Sequence, residues 1–376
     1  MDDVYKKALE LHKKHGGKLE MRSKVPLRDT HDLALAYTPG VAEIVRAIFK
    51  NKGAAYNYTF KKNSVAVVSD GSAILGLGNL GALAAIPVME GKAVLFKELA
   101  GIDAFPICLD TQDTEEIIRT VKNIAPVFGG INLEDIAAPR CFEIETRLKK
   151  ELDIPVLHDD QWGSAVVVLA GLINALKLRG SKKENVKVVI NGAGAAGTSI
   201  AKILSEYGFE DISVCDSKGI ISSERNDLNE HKRELAELTK KSAGNLESAA
   251  RGSDVLVGVS KAGLFSAEMI KSMNKNPIVF ALANPVPEIM PEEAKMAGAF
   301  IVATGRSDTP NQVNNSLAFP GIFRGALDNK VSKITMSMLL KAALNLAAHV
   351  ENPTSENILP NSLDKTVVPA IAKAIG

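Results

Sequence analysis

The stretch VKVVINGAGAAG, residues 186–197, decides the fold. Val186–Ile190 is an apolar run of strand type. Gly192-Ala193-Gly194-Ala195-Ala196-Gly197 follows it directly and opens a helical run, Thr198–Tyr207. Glycines in such a strand–turn–helix unit permit a tight turn, close approach of a pyrophosphate and close helix–strand packing, and the helix N-terminus turns free amides toward phosphate. A second run, Ile212–Cys215, ends in Asp216, 19 residues beyond Gly197 and near the spacing of about 20 at which an acid meets the adenosine ribose. Gly192, Gly194, Ala195, Ala196, Gly197 and Asp216 therefore predict a Rossmann-type nicotinamide dinucleotide site. Asp216 would repel a 2′-phosphate and favours NAD, whereas Ser217 and Lys218 beside it could accommodate that phosphate, so NADP stays open. The earlier Gly76-Leu77-Gly78-Asn79-Leu80-Gly81 fits the same spacing but lacks a ribose acid after a second strand, and is read as a packing or substrate loop.

Outward from this unit the chain alternates short strands with helices. Val65–Val68, Ala104–Leu109, Gly130–Leu133 and Pro155–Leu157 read as strands, separated by helical patterns at Ile86–Ala100, Thr114–Ile124 and Arg140–Leu152. After Val186–Ile190 come Ile212–Cys215, Val255–Val259, Ile278–Ala281 and Ala299–Val302. Residues 1–15 and Met336–Val350 read as helices, Tyr37-Thr38-Pro39-Gly40-Val41 as a turn with Pro39 at a first helical position, and 218–241 as a charged loop. The pattern predicts parallel βαβ units and an α/β fold. An N-terminal α/β substrate and metal domain would occupy 1–160, a doubly wound NAD(P)-binding domain 161–320, and a C-terminal helical segment 321–376 would pack back on the core.

The balance of 45 basic and 44 acidic residues in 376 leaves neither the basic footprint of a nucleic-acid binder nor that of a membrane-surface protein. A small-molecule partner is expected. Cys108, Cys141 and Cys215 are widely spaced and form no CxxC pattern, which suits free thiols in a reducing compartment. The N-terminus lacks a signal peptide's apolar core, and runs such as Ala165–Leu176 read as too short to cross a bilayer. A soluble, cytoplasmic protein is expected.

Two strand ends carry paired acids: Glu134-Asp135 after Leu133, and Asp159-Asp160 after Leu157 and His158. Charges at a buried strand exit cost desolvation unless a metal, a partner or water takes them up. In a parallel sheet the carboxyl ends of the strands share one edge, so these acids could converge, and oxygen ligands suit Mg²⁺ or Mn²⁺.

Further segments stand in the order of a known family. Tyr37-Thr38-Pro39-Gly40-Val41, Ser69-Asp70-Gly71, Leu75-Gly76-Leu77-Gly78-Asn79, Asn132-Leu133-Glu134-Asp135, His158-Asp159-Asp160-Gln161, Ala283-Asn284-Pro285 and Asn314-Asn315-Ser316-Leu317-Ala318-Phe319-Pro320-Gly321 resemble those of malic enzymes of the short bacterial and archaeal type, over roughly residues 20 to 370. The resemblance implies oxidative decarboxylation of L-malate to pyruvate and CO₂ by a homodimer. It implies Glu134, Asp135 and Asp160 as metal ligands, Lys92 as general base with Asp159 as its partner, and Tyr37 as general acid. Asn284, Asn314 and Asn315, with Tyr37 and Lys92, would contact substrate, and Ser260 and Asn284 the cofactor. Lys92 can act as a base only if burial or a nearby cation lowers its pKa, so it should lie in the cleft near the metal. The family usually has Gln and Thr where this chain has Trp162 and Ser164, and larger relatives carry a substrate arginine at the position of Ala73. The alternatives are a metal-independent amino-acid-type dehydrogenase and a non-catalytic nicotinamide-binding protein.

Overall fold

A computed structural model describes residues 2–240 and 243–376. Two parallel sheets organise it. The first contains β1 (Ser64–Ser69), β2 (Asp103–Cys108), β3 (Gly130–Leu133) and β4 (Val156–His158), in the order β2-β1-β3-β4. Every residue of β1 and β3 is buried. Parallel strands covered on both faces need continuous apolar runs, which is what Val65–Val68 supplies. The second sheet contains β5 (Lys187–Asn191), β6 (Asp211–Asp216), β7 (Gly219–Ile220), β8 (Val255–Gly258), β9 (Ile278–Ala281) and β10 (Ile301–Thr304). Its order is β10-β9-β8-β5-β6-β7, with only β7 antiparallel. The chain returns to the centre between β6 and β8, and this change of direction opens a crevice at the carboxyl ends of β5 and β8.

The helix Asp159–Arg179 joins the two halves. It begins at the residue after β4 and is buried along most of its length. Val166 and Leu169 belong to one apolar cluster with Val65 and Val67 of the first sheet and Val188 and Ile190 of the second. By length and hydropathy this helix could cross a membrane, contrary to the reading of 165–176 as too short, but it is the central core helix. The joint between the halves is thus a packed helix rather than a linker. Phe319 and Phe323 of the helix Phe319–Asp328 meet Phe96 edge to face, with centroids 4.7 and 5.4 Å away, which ties the C-terminal helices to the first half.

Several local expectations are corrected. The helix at 41 starts at Val41 with Gly40 as its cap, so Pro39 lies outside it. A helix at Thr30–Ala36, capped by Asp29, occupies sequence that carried no clear periodicity. The helix expected from Ile86 begins at Ala82, and the strand expected at Ala299–Val302 is Ile301–Thr304. The supposed loop from 218 contains β7 and a helix, Glu230–Leu238, capped by Asn229; its last residue, Lys241, lies outside the described residues. Short charged segments carry weak period signals, and tertiary packing decides them. Cys141 and Cys215 are buried and Cys108 half-buried, and none of the three forms a disulfide.

Removing the Phe96 ring deletes both aromatic contacts to the C-terminal helices. Phe96→Ala is expected to lower stability by about 3–5 kcal/mol, read as a lower urea midpoint; a midpoint unchanged from wild type would contradict this packing.

Candidate active site

The register of β3 and β4 builds the site. Leu133 lies beside His158 across the ladder, so the residues that follow each strand emerge side by side. Glu134 and Asp135 leave β3, and Asp159 and Asp160 open the helix after β4. One oxygen from each of Glu134, Asp135 and Asp160 lies within 4.8 Å of the others. The Asp135 amide donates to Asp160 Oδ2 at 2.8 Å, and Asn132 Nδ2 donates to Glu134 Oε2 at 3.0 Å, so two of the carboxylates are aimed by donors on β3 and at its exit. Asp135 Oδ2 is buried with no hydrogen-bond partner. Three converging hard oxygens, one of them orphaned, fit a divalent cation.

Lys92, on the helix Ala82–Ala100, is buried against this cluster. Its ammonium pairs with Asp159, lies 3.0 Å from Glu134 Oε1 and donates to Asn315 Oδ1 at 3.1 Å. The ring of Phe319 lies 4.4 Å from Nζ. Gly163 makes room for the pair, because a Cβ there would fall 1.8 Å from Asp159 Oδ1. Burial pushes the acids up: Asp135 to about 8, with Asp160 adding repulsion, and Asp159 to about 6, against the pull of Lys92. Glu134 is raised well above its usual range, first by burial. For Lys92, burial lowers the pKa, but the fields of Asp159, Glu134 and Asp160 outweigh it and raise it overall. Lys92 is in the cleft, as required of a base, yet these acids alone hold it protonated.

The dinucleotide unit is assembled as its spacing predicts. Gly192 adopts φ +125°, and a Cβ on Gly197 would meet the Gly192 carbonyl at 1.8 Å, so both positions require glycine. Nothing lies within 4 Å of where a Cβ on Gly194 would be, and Ala195 and Ala196 form the first turn of the helix Ala195–Tyr207. Open space over a helix N-terminus fits a pyrophosphate. Asp216 ends β6, but its carboxylate is occupied: Arg225 grips both oxygens at 2.8 and 3.2 Å and Lys232 one at 2.6 Å. Those two cations offset the repulsion that Asp216 would exert on a 2′-phosphate.

Ser260 and Asn284 are exposed just beyond β8 and β9. Buried Glu288 links the two loops by accepting from the Ser260 amide at 2.9 Å and the Ala283 amide at 3.0 Å. Asn284 also explains Gly76, where a Cβ would fall 1.9 Å from the Asn284 carbonyl oxygen, so the Gly76–Gly81 loop packs on it. Asn314 caps the turn that presents Asn315, through the Ser316 amide. His158 is fully buried 3.8 Å from Asp160 and is not one of the gathered ligands. Tyr37 is not brought to the cluster: it follows the helix Thr30–Ala36, is 67% exposed and is not among the bonded partners of Lys92. Glu288, Gly163, Arg225 and Lys232 escaped the sequence reading because no motif or period marks the contacts they make.

Residues 162–375 match the family described as malic enzyme, NAD binding domain, and residues 16–118 and 111–149 the malic enzyme N-terminal domain. A bifunctional malic/malolactic enzyme of Bacillus subtilis is 56% identical over 373 residues, covering 98% of this chain and 91% of that protein. An NADP-dependent malic enzyme of Rhizobium meliloti is 51% identical over 90% of this chain and 45% of its own length. The crystal structure of an NAD-dependent malic enzyme from Thermotoga maritima superposes with a TM-score of 0.94, at 52% identity and 98% coverage of both chains.

Because folding raises the Asp135 carboxyl to about 8, its ionisation opposes the metal-free folded state. The stability it contributes is complete below its unfolded range near pH 4 and is lost as pH rises through about 8. In EDTA the urea midpoint is expected to fall between pH 5 and 8.5, and Mn²⁺ at pH 8.5 to restore it; a flat profile indifferent to Mn²⁺ would contradict the electrostatics.

Proposed function

The chain belongs to the malic enzyme family, and we propose that the acid cluster around Lys92 is where L-malate is oxidised and decarboxylated to pyruvate and CO₂ with reduction of NAD(P)⁺. The observation that carries this assignment is the convergence of Glu134, Asp135 and Asp160 beside the Lys92–Asp159 pair. Those three acids would hold Mg²⁺ or Mn²⁺. A divalent ion there supplies positive charge that acidifies the C2 hydroxyl, polarises the C2 ketone and offsets the field now holding Lys92 protonated. NAD⁺ or NADP⁺, on the Gly192–Gly197 turn with Asp216, Ser260 and Asn284, supplies the hydride acceptor.

Lys92, once neutral, takes the proton of the C2 hydroxyl as the C2 hydrogen leaves as hydride. Asp159, paired with Lys92, accepts and returns that proton. Asn315, held by Lys92, and Asn314, which orders the same turn, orient the substrate carboxylates together with Asn284. When the C3–C4 bond breaks, CO₂ leaves and the bond's electron pair forms C2=C3 as the ketone π pair moves onto the C2 oxygen; Tyr37 then donates a proton to C3 as the C2=O bond re-forms, and the proton that Lys92 took from the hydroxyl returns to Tyr37. Buried Lys92 and Asp159 suit a site that excludes water from this sequence.

A homodimer supports the role of Tyr37. The helices Thr30–Ala36 and Val41–Lys50 have no buried residue, and Leu35, Val45 and Phe49 stand open, Phe49 at 91% exposure. A second copy covering this apolar surface would bury them and could bring Tyr37 to a site completed between subunits. A cytoplasmic location suits the thiols.

Lys92→Ala should lose about 10²–10⁴-fold in kcat while still binding NADH, and Tyr37→Phe should lose turnover by a comparable factor. Mixing the two inactive variants under subunit exchange should restore turnover well above either alone. Near-normal turnover by Lys92→Ala would overturn the base assignment, and no recovery on mixing would overturn the shared site.

A further inference from the structure

Glu145 is buried on the helix Arg140–Glu151 and lies outside every motif described above. Its Oε1 accepts from the His158 amide at 2.9 Å and pairs with Lys149 at 2.7 Å, and its Oε2 accepts from the Trp162 indole N–H at 2.9 Å. The Lys149 ammonium also lies 5.4 Å from the centre of the Trp162 ring. One carboxylate thus grips both ends of the span 158–162, which contains Asp159 and Asp160. The His158 ring adds no hydrogen bond to this hold, since neither of its buried nitrogens has a hydrogen-bond partner. A donor at position 162 is needed to use the second oxygen of Glu145, which gives the unusual Trp162 a purpose.

We propose that Glu145, clamped between the His158 amide and the Trp162 indole, is a positioning residue that sets the Asp159–Asp160 turn for metal binding. The inference rests on the reading of Asp160 as a metal ligand. Without the clamp, the first turn of the helix Asp159–Arg179 keeps the Asp135 amide bond to Asp160 and the Lys92–Asp159 pair but loses its hold on the helix Arg140–Glu151, and the three oxygens converge less closely. Outer contacts of this kind tune metal affinity by about 10–100-fold. In Glu145→Gln one oxygen becomes an N–H donor, so either the His158 amide or the Trp162 indole faces a donor instead of an acceptor. Trp162→Phe keeps an aromatic ring while removing the indole donor along with part of the ring surface.

The test is direct Mn²⁺ binding to the full chain without substrate, read from the free-Mn²⁺ electron paramagnetic resonance signal well below the unfolding temperature. NADH binding is measured in parallel. Wild type should bind Mn²⁺ and Asp160→Asn should not. Glu145→Gln should weaken binding about tenfold and Trp162→Phe by less, with NADH affinity unchanged in both. The double variant should be no weaker than Glu145→Gln alone, because the two changes break the same contact. Trp162 is the single tryptophan in the chain, so its emission should also shift on Mn²⁺ addition in wild type. Wild-type Mn²⁺ affinity in both Glu145→Gln and Trp162→Phe would overturn the clamp while leaving the metal site intact. Wild-type affinity in Asp160→Asn would overturn the metal reading and the clamp with it.

Discussion

Three buried carboxylates, a half-buried fourth and one ammonium share a corner, and the rest of the molecule is arranged around that constraint. Glu134, Asp135, Asp159 and Asp160 end two adjacent parallel strands, and Lys92 answers them from a third element. Buried like charges are costly, and one ammonium does not neutralise four acids. The site is therefore built for additional positive charge. The acids around Lys92 hold it protonated, and in the proposed mechanism a divalent cation bound beside them would offset that field.

The surroundings keep this corner from relaxing. Its floor is the core helix Asp159–Arg179, whose middle turns are packed between both sheets and cannot yield. Gly163 lets the Asp159 carboxylate fold against that helix, and Phe319 closes the far side of Lys92. Because the same helix links the sheets, the acid corner and the dinucleotide crevice are fixed relative to one another by a rigid element. Hydride transfer needs such fixed placement of two ligands.

Most of the fold was legible because its signals are local. The runs Val65–Val68 and Val186–Ile190 are apolar throughout, and the glycines at 192, 194 and 197 follow the second at fixed spacing. The acid pairs at 134–135 and 159–160 were legible for the same reason, each standing at the end of a strand. What was hidden is what depends on contacts across the chain. Arg225 and Lys232 take up Asp216 from a segment that reads as loop. Glu288 ties the Ser260 and Asn284 loops together with no local signature. The exposure of Tyr37 could not be seen in its motif, since the motif names a residue type and not the surface it occupies.

The central claim is that metal held by the acid corner is what turns a dinucleotide-binding α/β protein into a decarboxylating malate dehydrogenase. The most direct measurement is absorbance at 340 nm with L-malate and NAD⁺ or NADP⁺, with Mn²⁺ and with EDTA, followed by assay of pyruvate. Reduction that requires Mn²⁺, stops with EDTA and yields one pyruvate per reduced dinucleotide is the predicted result. Reduction undiminished by EDTA, or reduction without pyruvate, would contradict it.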